Sequence, residues 1–252
     1  MGHRDLSSFT TAWQESRLER ETTARRWAND IVMPKVTILT FHGIGPLPPT
    51  VDKSERDVWI HLDEFKRILD VLASRDNVRI TFDDGNESDV QLALPVLIER
   101  GLRAEFFLVA GRLDQAGYIG CADVVSLIEA RMTIGSHGMA HRSWRRLTEP
   151  DLHEELVGAR DALSTLMGTR IHRAACPFGD YDRRVLGHLR RLAYTRVYSS
   201  DGGRAQSAAW LQPRNTVRSY DNASTIERLI DEPQPFSRMI ARKTKVFLKR
   251  LR

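Results

Sequence analysis

The sequence has little of what defines several large classes of protein. Its 252 residues include two cysteines, Cys121 and Cys176; they could pair, but nothing in their spacing indicates a disulfide, and a reduced protein is the simpler interpretation. No stretch reaches the roughly 18–20 apolar residues of a membrane-spanning helix. The first 30 residues also lack the apolar core of a secretory signal. We therefore expect a reduced, cytoplasmic protein.

The positive charge is concentrated at one end of the chain. Residues 233–252 contain seven lysines and arginines and no acidic residue. Subtracting these seven from the net charge of +5 leaves −2 for residues 1–232. A mildly acidic body does not favour a nucleic-acid-binding surface, so no nucleic-acid partner is expected.

Short apolar runs alternate with segments of helical periodicity between residues 34 and 232. This alternation predicts a largely parallel sheet. The predicted fold class is α/β, a distorted (β/α) barrel of about seven parallel strands, with an open sheet as the alternative. Residues 1–33 are predicted to be a polar helical extension, 34–232 the main domain and 233–252 a basic helix. The predicted strands are Lys35–Phe41, Val78–Phe82, Arg103–Ala110, Met132–Ser136, His172–Pro177, Tyr194–Ser199 and Trp210–Val217, with helices near 61–74, 88–100, 122–131, 149–167, 181–192 and 222–231.

Two motifs that end predicted strands carry residues able to bind a metal. Asp83 and Asp84 follow an apolar run, where each acid needs a partner or a metal; the alternative is a turn formed by Asp84 and Gly85. His137 and His141 are spaced i, i+4, so one helical turn would place both on one face; the alternative is two surface histidines. One carboxylate with two imidazoles leaves open positions on the metal, as catalysis requires.

Both motifs lie at the carboxyl ends of their strands, where active sites of α/β barrels form. Three more segments with glycine or polar residues are predicted at the same edge. They are Phe41–Gly45, Cys176–Asp180 and Pro213–Asn215. Such a concentration of motifs at strand ends predicts a site rather than a set of turns.

Residues 36–217 resemble the NodB-homology polysaccharide deacetylases, carbohydrate esterase family 4. TFDDG at 81–85 is similar to the first family motif, and SHGMAH at 136–141 to the second, H-[ST]-x-x-H, with Gly138 in place of Ser or Thr. ACPFGDYD at 175–182 is similar to the third. The resemblance implies that residues 34–232 are the catalytic domain.

The resemblance also implies a role for each matching residue. Asp83 would be the general base, and the metal ligands would be Asp84, His137 and His141. A divalent metal is expected, and zinc is the usual one in this family. The backbone N–H of Phe178 would stabilise the oxyanion, and Pro177 and Gly179 would line the substrate site.

The chemistry of such a residue set can be stated independently. A divalent cation lowers the pKa of bound water from about 15.7 towards about 7. A neighbouring carboxylate can accept the proton as the water attacks an acyl carbon. The cation and an N–H donor then stabilise the tetrahedral oxyanion. The predicted function is removal of an acyl group, such as acetyl, from an amino sugar or glycan.

Two departures from the family pattern affect this prediction. Many members have a late histidine as general acid, but the last histidine here is His188, so His42 becomes the first candidate; alternatively, His42 satisfies loop backbone. Many members also have an arginine where Ala175 stands. Arg214 could reach the base from the last strand; alternatively, it forms a structural salt bridge.

Three alternative functions stay open. The first is an O-acetyl esterase on the same scaffold. An alkoxide leaving group needs less protonation than an amine, so an esterase depends less on the general acid that is not assigned here. A small-molecule amidase or deformylase is the second alternative. A non-catalytic glycan-binding module is the third.

The basic C-terminal segment, residues 235–252, has the pattern of an amphipathic helix. Such a helix could lie on an anionic membrane, which would suit a lipid-linked glycan substrate and a peripheral position at the inner face of the membrane. Alternatively, its apolar side packs on the barrel and its basic side faces solvent. The apolar side consists of Phe236, Met239, Ile240, Val246, Phe247 and Leu251.

Overall fold

The computed structural model describes residues 34–48, 53–233 and 235–251. The predicted N-terminal extension, residues 1–33, lies outside the described residues. Within the described ranges, no helix is both long enough and apolar enough to cross a membrane.

The strands form one large sheet and one small one. The strands are β1 (Lys35–Phe41), β2 (Gly43–Ile44), β3 (Trp59–Ile60), β4 (Val78–Asp84), β5 (Ala104–Leu108), β6 (Thr133–Ser136), β7 (Arg173–Ala175), β8 (Arg196–Ser199), β9 (Arg204–Gln206), β10 (Leu211–Pro213) and β11 (Asn215–Thr216). The large sheet has the order β10-β8-β7-β6-β5-β4-β1-β11, and all of these neighbours pair in parallel. In addition, β9 pairs antiparallel with β1, and β2 pairs with β3 in the small sheet.

The sheet closes at Arg214, the residue between β10 and β11. Before this residue the chain pairs with β8, and after it the chain pairs with β1 at the other end of the sheet. The backbone N–H of Arg214 donates to Ser199 O at 2.9 Å, and its carbonyl accepts from Gly202 N at 3.0 Å. The seventh predicted strand is therefore present but broken at Arg214. If β10 and β11 are counted as one strand, the barrel has seven parallel strands among the described residues. The predicted distorted barrel is confirmed.

Helices alternate with the strands as predicted. The helix predicted over 149–167 is present without a break, but its middle, Glu154–Gly158, is a π-helix. Another π-helix, Asp89–Ala93, leads directly into the α-helix Leu94–Glu99. Such π segments are frequent at functional sites. The α-helices are α1 (Leu62–Leu72), α2 (Leu94–Glu99), α3 (Cys121–Glu129), α4 (Glu149–His153), α5 (Ala159–Met167), α6 (Arg183–Arg191), α7 (Ala223–Asp231) and α8 (Phe236–Leu251).

Alternating side chains divide the core into two layers. Phe82 stacks on Phe106 at 4.6 Å between ring centroids and contacts Phe65 of α1 at 6.1 Å, so this layer lies between sheet and helices. Phe107 and Tyr198 belong to a separate buried cluster inside the barrel, with ring centroids 5.0 Å apart. Because successive residues of a strand face opposite sides, Asp83 follows Phe82 on the inner side.

Candidate metal centre and catalytic site

Strand register brings the two metal-binding motifs together. Asp84 of β4 is opposite Leu108 of β5, and Leu108 is opposite Ser136 of β6. The next residue, His137, donates its backbone N–H to Leu108 O at 2.8 Å. The acid pair and the histidine pair therefore lie at the same edge of the barrel, separated by one strand.

Asp84, His137 and His141 each direct one potential ligand atom to a common point. These three atoms lie within 4.8 Å of one another. From Asp84 Oδ1 the distance is 3.2 Å to His141 Nε2 and 3.7 Å to His137 Nε2. Asp84 and His137 are buried, and His141 is 11% exposed. The residues around the histidines, predicted as a turn or helix, form a loop. This loop still directs both imidazole rings towards Asp84.

The donor atoms fit a divalent cation. Asp84 Oδ1 is buried and has no hydrogen-bond partner among the described residues, although two imidazole nitrogens face it. Such an acceptor is costly unless something positive binds it. His137 Nδ1 lies 2.9 Å from Ala175 O, so this nitrogen carries the hydrogen and Nε2 offers its lone pair to the common point.

Burial changes the pKa values of this cluster, in the direction that suits metal ligands for the two histidines and in the opposite direction for Asp84. It lowers the pKa of His137 to about 3 and that of His141 to about 4, so both rings are neutral at neutral pH. Burial also raises the pKa of Asp84 to about 6; the nearby Asp83 carboxylate adds to this rise, and His42 acts against it. A cation at the common point would favour the ionised form of Asp84.

Three predicted site residues have strained backbone. Positive φ angles occur at Asp84 (79°), His141 (52°) and Phe178 (58°), a region that side chains other than glycine rarely adopt. Strain of this kind is about 1–3 kcal/mol per residue and concentrates at functional sites. The surrounding fold therefore holds these three residues in their orientations at some cost in stability.

Arg214 holds the second acid, Asp83, from the barrel interior. Arg214 Nη1 donates to Asp83 Oδ1 and Nη2 donates to Asp83 Oδ2, both at 2.6 Å. Asp83 Oδ2 also lies 3.7 Å from His137 Nε2. Burial by itself would raise the pKa of Asp83, but the Arg214 guanidinium keeps this pKa well below its usual range. Asp83 is therefore an ionised, oriented carboxylate beside the ligand atoms.

The other predicted residues lie at the same edge. His42 lies close enough to both acids to lower the pKa of each, and its buried Nδ1 has no hydrogen-bond partner among the described residues, so this atom does not satisfy loop backbone. The Phe178 ring is 68% exposed and lies 4.6 Å from the His141 ring. Pro177 is buried. The Gly179 carbonyl oxygen accepts a hydrogen bond from Lys249 Nζ at 2.7 Å, so this oxygen already has a partner within the chain.

Glu155, which sequence reasoning missed, fixes the histidine loop. Its Oε2 accepts from Met139 N at 3.0 Å and from Trp144 Nε1 at 3.3 Å, and its Oε1 accepts from Ala140 N at 3.1 Å. A Cβ atom at Gly138 would lie 2.3 Å from Glu155 Oε2. The glycine that replaces the family's Ser or Thr therefore makes room for this carboxylate.

Arg112 is a second residue that sequence reasoning missed. It follows β5 in the turn Ala110–Arg112, and its Nη2 lies 3.4 Å from His141 Nδ1 while its Nη1 lies 3.8 Å from Asp84 Oδ1. The sequence offered one indication of its role: Arg112 follows β5, and β5 lies between the strands that carry the acid pair and the histidine pair. Its charge helps to lower the pKa of His141.

If His137 and His141 hold a divalent cation, Glu155→Ala should weaken its binding by about 10–100-fold, the usual effect of removing a group that orients metal ligands; zinc serves as the probe. The free energy of unfolding should fall by about 1–3 kcal/mol, because backbone N–H groups lose their acceptor. Isothermal titration with zinc and urea unfolding measure the two effects. The exposed neighbour Glu154 provides a matched control, Glu154→Ala, which should change neither. Equal zinc affinity in the Glu155→Ala and control variants would contradict the role of Glu155.

Comparison with known proteins identifies the family. The family model described as polysaccharide deacetylase matches residues 70–197, slightly more than half of the chain. The chain therefore belongs to the polysaccharide deacetylase family, as the motifs predicted. A curated relative, YxkH of Bacillus subtilis (strain 168), is 22% identical over 221 residues, which are 82% of this chain and 78% of YxkH.

Solved structures of low sequence identity share the fold. The Streptococcus pyogenes deacetylase PplD, solved in complex with acetate, has a TM-score of 0.71 at 18% identity and covers 79% of this chain and 99% of PplD. BC0361, a polysaccharide deacetylase from Bacillus cereus, has a TM-score of 0.69 at 17% identity, with 78% of this chain and 69% of BC0361 covered. Both likenesses confirm the distorted barrel.

Proposed function

We propose that this protein is a metal-dependent deacetylase that hydrolyses an N-acyl group, such as acetyl, on an amino sugar or glycan. One observation carries the proposal: a carboxylate held by Arg214 lies directly beside three converging ligand atoms. Asp84, His137 and His141 would hold the cation, and zinc is the metal we expect. When bound, the cation supplies Lewis-acid activation of water and of the acyl carbonyl.

The chain's own residues have separate tasks in this mechanism. Asp83 accepts the proton of the attacking water, because each carboxylate oxygen has two lone-pair sites and Arg214 fills only one on each. The Phe178 N–H donates to the oxyanion that forms as the C–O bond is made. His42 donates a proton to the leaving nitrogen as the C–N bond breaks. The products are a carboxylic acid and a free amine.

Acetate release tests the proposal against its alternatives. The zinc-loaded protein should release acetate from N-acetylglucosamine oligomers, and an enzyme-coupled acetate assay measures this. Release from O-acetylated sugars alone would support the esterase. Release from small N-acyl or N-formyl amides alone would support the amidase. Binding of oligosaccharides without release of acetate, with any divalent metal, would support the binding module.

His42 is the proposed general acid, and leaving-group dependence tests this role. We expect His42→Gln to lower kcat/KM for N-acetyl sugars by about 10²-fold or more, since an amine leaves poorly without a proton. Hydrolysis of nitrophenyl acetate should change little, because nitrophenolate leaves unprotonated. His61→Gln, at an exposed position before α1, is the matched control. A variant that loses both reactions equally would argue that His42 only positions the site.

We also propose a cytoplasmic location and a lipid-linked form of the glycan substrate. The basis is the sequence composition together with the amphipathic C-terminal helix. Cell fractionation with an antibody to the chain tests the location. Recovery of the protein outside the cytoplasmic and inner-membrane fractions would refute it.

A further inference from the structure

Helix α8, Phe236–Leu251, leaves its apolar stripe uncovered. Phe236, Ile240, Phe247 and Leu251 are 71%, 47%, 61% and 63% exposed. Their spacing of 4, 7 and 4 residues places them along one face of the helix. Met239 and Val246, the other two apolar residues of this side, are half-buried, so packing on the barrel leaves most of the side uncovered. Contiguous exposed apolar surface of this kind marks an interaction site.

The opposite side of α8 anchors the helix to the barrel through polar contacts. Lys249 Nζ donates to Gly179 O and to Asp201 Oδ1, both at 2.7 Å, and lies 4.8 Å from the centre of the Tyr181 ring. Arg242 Nη1 donates to Gly202 O at 3.0 Å. These contacts fix the helix so that its apolar stripe faces outward.

Helix α8 carries exposed positive charges, and two of them border the stripe. Lys243 and Arg250 lie along one edge of it and Lys245 lies on the far side of the helix, all three exposed. Residues 233–252 contain seven basic residues and no acid. Two copies of this helix packed stripe to stripe would bring like charges together, which opposes self-association. An anionic lipid membrane can bind both parts of the helix: its apolar interior takes up the stripe, and its negative surface attracts the basic residues.

We propose that α8 is an interfacial helix that docks the protein on an anionic lipid membrane. The helix lies on the membrane and does not span it. Its end adjoins the catalytic edge, because Lys249 contacts Gly179, and the neighbouring Phe178 ring is 4.6 Å from His141. A docked enzyme therefore has the mouth of its site next to the lipid surface. This last consequence rests on the proposed function, whereas membrane binding itself does not.

Vesicle co-sedimentation of the full chain tests the docking surface. Phosphatidylcholine vesicles with phosphatidylglycerol should bind the protein at least about tenfold more strongly than vesicles of phosphatidylcholine alone. Ile240→Ser/Phe247→Ser should lower binding to the anionic vesicles by about tenfold or more, because the apolar insertion is lost. Lys243→Gln/Arg250→Gln, which removes the two charges at the edge of the stripe, should lower it by about thirtyfold, since each basic residue near the surface contributes about fivefold.

Two control variants separate membrane docking from general surface hydrophobicity and from catalysis. Val125→Ser/Ile128→Ser removes two exposed apolar residues of α3, 48% and 38% exposed, and should bind like the wild type. Asp83→Asn should also bind vesicles normally, so failure of catalysis and failure of docking are distinguishable. Equal binding to neutral and anionic vesicles, or undiminished binding by both α8 variants, would overturn the proposal. A wild-type dimer that ignores vesicles and becomes monomeric in Ile240→Ser/Phe247→Ser would overturn it in favour of self-association.

Discussion

Asp83→Asn is expected to lower deacetylation by about 10²–10⁴-fold, the contribution of a positioned general base. The amide has the shape of the carboxylate but cannot accept the water's proton. Asp84, His137 and His141 are unchanged, so zinc content should stay near that of the wild type. Initial rates of acetate release at saturating zinc measure the effect. Asp70→Asn changes an exposed carboxylate bound to Arg100 and should retain full activity.

The same substitution also leaves the Arg214 charge buried beside a neutral side chain. Breaking a buried pair in this way costs about 3–5 kcal/mol of unfolding free energy. Replacing both partners, in Asp83→Asn/Arg214→Met, should recover much of that stability but none of the activity. Urea unfolding of both variants separates loss of the base from loss of the fold. Wild-type rates in a folded Asp83→Asn protein would show that Asp83 is not the base.

Arg214→Met is expected to lower kcat/KM by about 10²-fold or more, because the base loses its orientation. It should also lower the unfolding free energy by about 3–5 kcal/mol, since the Asp83 charge then lies buried without a partner. Arg214→Lys keeps the charge but cannot form the two parallel hydrogen bonds, so its losses should be intermediate. Rates and urea unfolding of the two variants, beside wild type, give this order.

The pH profile distinguishes orientation of the base from a purely structural role of Arg214. In the wild type the guanidinium keeps the pKa of Asp83 well below its usual range, so this carboxylate, the proposed base, is ionised through the neutral range. Without that charge, burial raises the pKa, and the acidic limb of the kcat/KM profile should move to higher pH. A structural salt bridge alone would lower stability and leave that limb where it is. An unmoved limb in a folded Arg214→Met variant would contradict the assignment.

Much of the fold could be predicted from the sequence because each strand carries its own local signal. The runs that became β1 and β4 are rich in β-branched and aromatic residues, which favour strands, and alternation with helices restricts such strands to a parallel sheet. The short strands escaped prediction for a physical reason. β9 has three residues and β2 and β3 have two each, so their positions depend on partners distant in sequence.

The same distinction applies to the site. Asp84, His137 and His141 converge because motifs at the ends of parallel strands share an edge, and this can be read from the chain. The pairing of Arg214 with Asp83 could be named as a possibility, but its geometry depends on closure of the barrel between β10 and β11. Glu155 could not be found, because it approaches the histidine loop from a π-helical turn in a separate segment.

The central claim is that Asp84, His137 and His141 bind a divalent metal that deacetylation requires. Elemental analysis after incubation with zinc and removal of the excess tests it most directly. We predict near-stoichiometric zinc in the wild type and its loss in both His137→Ala and His141→Ala, together with acetate release. His188→Ala removes a histidine paired with Glu149, 3.3 Å away, and should retain the metal. A wild-type protein that binds no zinc, cobalt or nickel, or variants that bind as much as the wild type, would contradict the account.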